Sequence, residues 1–161
     1  MLIIGIDPGF TGAVACYNPR SGDITVSDMP VTKDKKNRTI LDHPGVLALF
    51  EGCQHYHVMA VLEFVAARQN QSAPATFRFG QGYGALEMAL AANKIPVQYA
   101  TPAKWKGYFG LSSDKGVSRA YATQRFPHAA SFFSRVKDDG RAEASLLALY
   151  GAEVLSKHIH P

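Results

Sequence analysis

The amino-acid sequence predicts an α/β domain in which a mixed β-sheet carries helices on both faces. The first observation is the order of the elements: three hairpin-like strand segments come first, and two further strand segments then alternate with helical segments. Strands joined by tight turns pair antiparallel, whereas strands separated by helices pair parallel, so this order gives a mixed sheet. The second observation is that 161 residues are the size of one domain. We therefore expect residues 1–161 to form a single three-layer domain.

The N-terminal part of the sequence predicts three strands. Residues 2–6 are nearly all branched and apolar, and the small apolar stretch 12–18 follows them after a tight turn. A third strand is indicated by residues 23–29, which follow a turn that contains Pro, Ser and Gly. Residues 32–38 contain four basic side chains and show no apolar periodicity. We expect a mobile loop at this last stretch.

The middle of the chain predicts a helix, a buried strand and a long helix. Residues 43–54 are typical of a helix with Pro44 in its first turn, and the apolar run 57–64 is typical of a buried strand. From Ala73 to Asn93, small residues alternate with large apolar ones in a long helical pattern. We expect the glycines of residues 80–84 to interrupt this helix near its start.

The C-terminal part predicts a short strand, residues 95–100, followed by three helices. Two of these helices, residues 101–110 and 112–126, begin with a Ser or Thr that could serve as the N-cap. The last helix, residues 140–155, starts beside a pair of aspartates. The strand at residues 95–100 brings the number of predicted strands to five.

The composition is that of a soluble globular protein, with 47% hydrophobic and 19% charged residues. The net charge of +4 allows a polyanionic partner but does not require one. Cys16 and Cys53 lack the spacing of zinc ligands, so we expect free, buried thiols in a reducing compartment. The apolar N-terminal run is too short to span a bilayer, and no basic residue precedes it. We therefore expect a cytoplasmic protein without a membrane partner.

Two apolar strands each end in an acidic residue, Asp7 in the first strand and Glu63 in the fourth. Burying an unpaired carboxylate is costly, so such a group usually has a cation, several hydrogen-bond donors or a metal ion beside it. A simpler interpretation stays open for each residue: Asp7 could begin an Asx turn, and Glu63 could lie at the solvent end of its strand.

A second pair of acids, Asp139 and Glu143, lies at the start of the last helix. The two residues are four apart and project from one helix face if the helix starts at or before Asp139, although Asp139 could also be the helix cap. Mg²⁺ prefers carboxylate oxygens, and two ions about 3.5 to 4 Å apart need three or four such groups from separate elements. The conjunction of all four acids therefore indicates a metal site.

In this order, the motifs resemble the RuvC-like Holliday-junction resolvases of the RNase H-like (retroviral integrase) superfamily, particularly the phage-type members. The sequence IIGIDPGFTGAVA carries the first acid, VLEF the second, and DDGRAEASLLALYG the last two, and together they cover nearly the whole chain. The resemblance implies an RNase H-like three-layer fold with a central mixed five-stranded sheet flanked by helices. In that fold Asp7 and Glu63 lie on adjacent central strands, and the last helix brings Asp139 and Glu143 over them.

The resemblance also implies an activity, that of a crossover junction endodeoxyribonuclease of DNA recombination and repair. Such an enzyme resolves four-way DNA junctions by paired symmetric nicks and needs no small-molecule cofactor. The implied cofactor is two Mg²⁺ ions per site, with Mn²⁺ able to substitute, held by Asp7, Glu63, Asp139 and Glu143. One ion activates a water and the other stabilises the leaving 3′ oxygen. The family often spaces its last two acids three apart, whereas Asp139 is four before Glu143, so Asp138 remains an alternative for that ligand.

A basic segment between the second and third acids is similar to the one that follows the family's fifth strand. Lys106 and Lys115 stand at the family's lysine positions, which implies DNA contacts for both and a catalytic position near the scissile phosphate for Lys106. Lys104 is interleaved with aromatic residues, a mixture suited to a phosphate backbone beside exposed bases. Arg119 lies one turn from Lys115 and is expected to belong to the same DNA-binding patch.

Two groups of aromatic residues have open interpretations. Trp105, Tyr108 and Phe109 either contact exposed bases or pack into the core. The family places junction-wedging aromatics in the polar loop and helix that follow the second acid, so the resemblance makes Phe77 or Phe79 a DNA-binding candidate. Core packing of at least one of these two phenylalanines is expected.

A homodimer is expected because two symmetric nicks across a junction require two active sites. The small-residue stretch 80–92 gives a helix that could approach a second copy closely, although the same residues could pack on the sheet of their own chain.

Two other classes of function stay open. The sequence DPGFTGA also resembles the phosphate hairpin of actin-like sugar kinases, phosphotransferases that are usually longer and carry a second phosphate loop. A non-cleaving module for branched nucleic acid would keep the fold, but the presence of all four acids argues against it. The sequence does not distinguish a four-way junction from a flap or an RNA–DNA hybrid as substrate.

Overall fold

The computed structural model describes residues 1–53, 56–66 and 71–155. The strands are β1 (Leu2–Asp7), β2 (Ala13–Tyr17), β3 (Ile24–Asp28), β4 (Val31–Lys33), β5 (Thr39–Leu41), β6 (Val58–Glu63) and β7 (Val97–Ala100). The helices are α1 (His43–Phe50), α2 (Ala73–Ala92), α3 (Pro102–Phe109), α4 (Lys115–Arg125) and α5 (Asp139–Tyr150). Shorter helical turns cover Pro127–Phe133, Val136–Asp138 and Gly151–Leu155.

Five strands form one mixed sheet in the order β3-β2-β1-β6-β7. The hairpin strands β1, β2 and β3 pair antiparallel, whereas β6 pairs parallel with both β1 and β7. The mixed five-stranded sheet expected from the sequence is confirmed. Its two central parallel strands, β1 and β6, are the ones that end in Asp7 and Glu63.

Helices cover both faces of this sheet, so the domain has three layers. Because successive side chains of a strand point to opposite faces, Ile3 and Val61 join the core beneath α3, α4 and α5. Ile6 and Leu62 join a second core beneath α1 and α2. The helix α5 packs centrally, and all its residues from Ala142 onward are buried. This central position is what brings its first turn over the ends of β1 and β6.

The mobile loop expected at residues 32–38 is instead part of a regular hairpin, formed by β4 and β5. The carboxylate of Asp34 accepts hydrogen bonds from the backbone N–H groups of Lys36 at 2.8 Å and Arg38 at 2.9 Å. Asn37 takes the left-handed conformation, with φ of 56°, which Asn tolerates well. The expectation was wrong because polar turn hydrogen bonds, rather than apolar periodicity, define this hairpin.

The helix α2 runs without interruption from Ala73 to Ala92, so the expected break at residues 80–84 is wrong. Thr101 caps α3 as expected, but α4 is capped by Asp114 rather than by the serines before it. Among the described residues, no helix combines enough length and apolar character to cross a membrane. The polar loop expected after Glu63 includes residues 67–70, which lie outside the described residues.

Cys16 and Cys53 are both free, as expected, but each is only partly buried. Burial nevertheless raises the pKa of both thiols, most clearly for Cys16. A thiol with a raised pKa stays protonated at neutral pH and is a poor nucleophile, which suits a structural role.

Candidate active site

Three acidic side chains converge where the central strands end. β1 and β6 are parallel neighbours with Ile6 opposite Leu62, so Asp7 and Glu63 follow side by side at the same sheet edge. Glu143 reaches them from α5, and its negative charge raises the pKa of both strand acids. The structure thus brings together three of the four acids that the sequence singled out.

The two strand acids are harder to ionise than ordinary carboxyl groups. Burial raises the pKa of Asp7 to about 6, against the opposing effect of the Gly9 N–H, which donates to Asp7 Oδ1 at 3.1 Å. Burial raises the pKa of Glu63 to about 7, and the nearby charges of Asp7 and Glu143 add to the rise. These shifts show that carboxylates have been desolvated and crowded together without matching positive charge.

Two residues of α3 contact acids of this cluster. The ammonium of Lys106 lies 2.7 Å from Glu143 Oε1 in a largely buried ion pair. The indole N–H of Trp105 donates to Glu63 Oε1 at 2.9 Å, and Lys106 lies over the same indole ring, 5.1 Å from its centroid. α3 therefore supports Glu63 and Glu143 from one side.

The adjacent residues Asp138 and Asp139 have different surroundings. Asp138 is buried, and its carboxylate accepts hydrogen bonds from the side chain and the backbone N–H of Arg135. Asp139 is partly exposed and lies 2.8 Å from Arg119 Nε and 4.0 Å from Lys115 Nζ. The contact with Arg119 is an ion pair without the alignment of a hydrogen bond, which leaves Asp139 Oδ1 buried but without a hydrogen-bond donor. Of the two, Asp139 is the more exposed and accepts no hydrogen bond from its ion-pair partners, so its carboxylate is the better candidate to bind a metal ion.

A glycine lets the start of α5 approach Asp7 closely. A Cβ atom on Gly140 would lie 2.5 Å from the Thr11 carbonyl oxygen and 3.1 Å from Asp7 Oδ2. Any larger residue would push the first turn of α5, and Asp139 with it, away from β1. Asp7 and Asp139 consequently line one open cleft of about 420 Å³. Cations at the rim of this cleft are Lys115, Arg135 and Lys137.

The acids fit a divalent cation by their chemistry. Hard carboxylate oxygens from three separate elements are the ligands that Mg²⁺ prefers, and the raised pKa values of Asp7 and Glu63 show a local deficit of positive charge. Within residues 1–53, 56–66 and 71–155, no three acidic, His or Cys side chains lie close enough together to hold a metal ion. Glu143 is engaged by Lys106 and Glu63 by Trp105.

The expected DNA-binding residues divide by exposure. Lys104 and Lys115 are exposed on α3 and α4, whereas Lys106 and Arg119 are partly buried in their ion pairs. Phe77 is 67% exposed in the first turns of α2. In contrast, the ring of Phe79 is half-buried and packs 6.1 Å from that of Tyr83, centroid to centroid. Their roles in DNA binding stay predictions.

The aromatic residues of α3 differ in how deeply they are buried. Trp105 is fully buried, so the core-packing interpretation is the correct one for it. Phe109 packs partly buried against the same core, and Tyr108 remains half-exposed.

Two contacts to Glu63 were not predicted from the sequence. One is the Trp105 hydrogen bond, and the other is the hydroxyl of Tyr83, which donates to the Glu63 carbonyl oxygen at 3.2 Å. Helical periodicity carries no sign of either contact. The sequence offered only a general indication of the first contact, because the N–H of a buried Trp usually has a hydrogen-bond acceptor.

No protein-family model matches the sequence, and a comparison with curated proteins found no significant match either. Comparison with solved structures gives clear matches. RuvC of Thermus thermophilus in complex with a Holliday junction substrate is 15% identical with a TM-score of 0.64, over 94% of this chain and 94% of that chain. A second structure of Thermus thermophilus RuvC is 17% identical with a TM-score of 0.57, over 94% and 95% of the two chains. The chain therefore has the RNase H-like fold of the RuvC resolvases, and the resemblance seen in its sequence is confirmed at the level of the fold.

Proposed function

We propose that this chain is a divalent-metal-dependent endonuclease that resolves four-way DNA junctions by paired symmetric nicks. The observation that carries the proposal is the convergence of Asp7, Glu63 and Glu143 at the ends of the two central strands of a RuvC fold. The matched RuvC structure is a complex with a Holliday junction substrate, and we extend that class of substrate to this chain.

The residues that would hold the metal are Asp7, Glu63, Asp139 and Glu143. We assign the third ligand to Asp139 rather than Asp138, because Asp138 is buried and already hydrogen-bonded to Arg135. We propose two Mg²⁺ ions, replaceable by Mn²⁺. When bound, they would supply Lewis-acid activation of the attacking water and stabilisation of the leaving 3′ oxygen.

The chain's own residues prepare this chemistry. Asp7 and Glu63 are desolvated before any ligand arrives, so little water has to be removed around them during the reaction. Lys106 brings a positive charge within 2.7 Å of Glu143, and this supports our proposal that the same ammonium contacts a scissile phosphate bound over the acids. Trp105 fixes the orientation of Glu63.

The DNA would lie along the side of the site formed by α3 and α4. Lys104 and Lys115 are exposed there, and long flexible ammonium groups at such positions neutralise backbone phosphates. Phe77 is exposed at the start of α2 and is the aromatic residue best placed to stack on an unpaired base. Phe79 is a weaker candidate because it packs against Tyr83.

We also propose that two copies pair through the exposed face of α2. Gly80 and Gly84 lie on that face, and a Cβ atom built on either residue meets nothing within 4 Å. Glycine inside a helix costs about 1 kcal/mol relative to alanine, and no contact of either glycine with the described residues explains the cost. The face continues through Met88, 69% exposed, to Leu47, 47% exposed. A second copy of α2 would bury these apolar side chains and pack closely against both glycines.

Sedimentation of the wild-type protein and of Gly84→Arg tests the dimer. The wild type should sediment at twice the chain mass, and the variant at the mass of one chain. Ala120→Arg, at an exposed position of α4, is the matched control and should stay dimeric. A monomeric wild type that nicks both strands of a junction in one binding event would exclude this arrangement.

A substrate panel tests the function itself. Labelled four-way junction, flap, RNA–DNA hybrid and linear duplex are incubated with the protein and Mg²⁺, with EDTA as the parallel control. We expect paired nicks at symmetric positions in the junction, and none in EDTA. Tight junction binding without cleavage would support the non-cleaving module instead. Cleavage of the flap or hybrid alone would keep the nuclease and change its substrate.

A further inference from the structure

The only tryptophan of the chain, Trp105, is fully buried beside the acid cluster. Its indole N–H donates to Glu63 Oε1 at 2.9 Å. An indole has a single N–H and no acceptor, so this one bond uses its entire hydrogen-bonding capacity. The whole polar function of the residue is therefore directed at one oxygen of one acid.

We infer that Trp105 is a positioning residue whose hydrogen bond occupies one lone pair of Glu63 Oε1, leaves Oε2 as the oxygen better able to bind a metal ion, and so favours Mg²⁺ over Ca²⁺ at the site. The inference rests on the proposed function, since it concerns the divalent cation of the same site.

Both partners of this bond are held in place by their surroundings. Trp105 is 0% exposed, and its helix is anchored one turn earlier by Thr101, whose side chain accepts from the Lys104 N–H. The main chain of Glu63 is held by the Tyr83 hydroxyl, which donates to its carbonyl oxygen. Among the described residues, no other hydrogen bond reaches the carboxylate of Glu63. The orientation of that carboxylate is thus set by the indole.

The hydrogen bond to Glu63 Oε1 matters because Mg²⁺ and Ca²⁺ bind carboxylates differently. Ca²⁺ takes six to eight oxygens and often binds both oxygens of a carboxylate, whereas Mg²⁺ requires a compact octahedron. Two-oxygen binding by Glu63 would make Oε1 share its electron density between the ion and the indole N–H, and would weaken the only hydrogen bond of that buried donor. Binding through one oxygen keeps that bond. The hydrogen bond therefore penalises the mode of binding that favours Ca²⁺.

A Trp105→Phe substitution removes the N–H and keeps an aromatic ring, although the smaller ring also leaves a cavity in the core. Phenylalanine keeps an aromatic face beneath Lys106, whose ammonium lies 5.1 Å from the indole centroid, but it cannot donate a hydrogen bond. Phe109→Leu is the matched control, since Phe109 belongs to the same helix and the same core but has no contact with Glu63.

The experiment measures the affinity of each metal alone, without DNA. Mg²⁺ or Ca²⁺ is titrated while the rise in unfolding temperature is followed, because a ligand that binds only the folded state stabilises it in proportion to its affinity. We expect Trp105→Phe to shift the ratio of the two affinities about tenfold towards Ca²⁺. Phe109→Leu should leave the ratio at the wild-type value.

The Glu63→Gln background tests whether Trp105 acts through Glu63. If it does, Trp105→Phe changes the metal ratio in the wild type but not in Glu63→Gln. An equal change in both backgrounds overturns the inference, as does an unchanged ratio in Trp105→Phe. A wild type that binds neither ion overturns the proposed metal dependence, and the inference falls with it.

Tryptophan fluorescence gives a second readout that needs no variant. Trp105 is the sole tryptophan, so the emission of the wild type reports on this indole alone. Mg²⁺ should leave its emission nearly unchanged, whereas Ca²⁺ should shift it by disturbing the hydrogen bond. If Trp105→Phe does not fold, this comparison decides: identical responses to the two ions overturn the inference.

Discussion

Two groups of acids in this domain have opposite electrostatic surroundings. Asp28 and Asp138 have pKa values below those of ordinary carboxyl groups, because arginines donate hydrogen bonds to both. In contrast, the pKa values of Asp7 and Glu63 are raised, because burial and the charge of Glu143 both act on them. The difference shows that the ionised forms of Asp28 and Asp138 stabilise the fold, whereas the ionised forms of Asp7 and Glu63 destabilise it.

The geometry explains the contrast. Arg141 places two nitrogens against Asp28, each 2.6 Å from a carboxylate oxygen, and Arg135 bonds Asp138 at 2.7 Å. Guanidinium groups match carboxylates in shape and remain charged at any ordinary pH. Within the described part of the chain, the three acids Asp7, Glu63 and Glu143 receive only Lys106 at a comparable distance, together with the longer-range charge of Lys115. Crowded acids of this kind are frequent at functional sites, where a bound cation completes the balance.

Removing one crowded acid should have the largest effect. We expect Asp7→Asn to lower the cleavage rate about a thousandfold, about 4 kcal/mol, because a proposed metal ligand is lost. Junction binding should be unchanged or tighter, because a negative charge beside the phosphates is also lost. The control is Asp28→Asn, at an exposed acid that lines the same cleft, and this variant should cut within a few-fold of the wild type. Cleavage by Asp7→Asn at the wild-type rate would contradict the two-metal interpretation.

The adjacent aspartates should separate cleavage from stability. Asp138→Asn removes a buried acceptor of several charged hydrogen bonds, and we expect it to lower the free energy of unfolding by about 3 kcal/mol. Asp139→Asn should leave stability nearly unchanged and abolish most cleavage. Urea unfolding and single-turnover cleavage of both variants measure the two effects. The reverse pattern would transfer the ligand role to Asp138.

The stability of the metal-free protein should fall as the pH rises. Between pH 4 and 7 the folded state binds more protons than the unfolded state, since the pKa of Asp7 rises from 3.8 to about 6 and that of Glu63 from 4.5 to about 7. We expect a loss on the order of 2 kcal/mol between pH 5 and pH 7 in EDTA. Asp7→Asn should make this profile shallower and leave the contribution of Glu63, whereas Asp28→Asn should not change it, because Asp28 is ionised throughout the range. A wild-type profile that is flat in EDTA would show that these acids are not crowded in solution.

The smallest effect concerns the cations around the crowded acids. Lys115 has a 63% exposed side chain, so Lys115→Ala should reduce the slope of log affinity against log salt by about 0.9, as expected for one lost phosphate contact on duplex arms. Lys106 is 16% exposed and paired with Glu143. We expect Lys106→Ala to slow cleavage while changing the slope less than Lys115→Ala. Equal slopes for the wild type and Lys115→Ala would place Lys115 away from DNA.

The sequence alone could locate the strand acids but not their partners. Asp7 and Glu63 stand out because each ends an apolar run, and parallel neighbouring strands bring such ends together. Asp138 and Asp139 could not be separated, because adjacent acids at a helix start follow the same local rules. Only contacts with Arg135 and Arg119, made by folding, distinguish them. Trp105 was equally ambiguous, since its helical position is compatible with either a DNA-facing or a core-facing ring.

The central burial of α5 has a consequence for how this protein loses its activity. Local opening of a structure occurs where few buried contacts hold a segment, and the helix that carries Glu143 is instead enclosed from Ala142 to Tyr150. Its amide hydrogens should therefore exchange with solvent only when the whole domain unfolds. Heating should then abolish the geometry of the acids and the fold in one cooperative step, so that no partly melted population retains a folded shape with a disordered site.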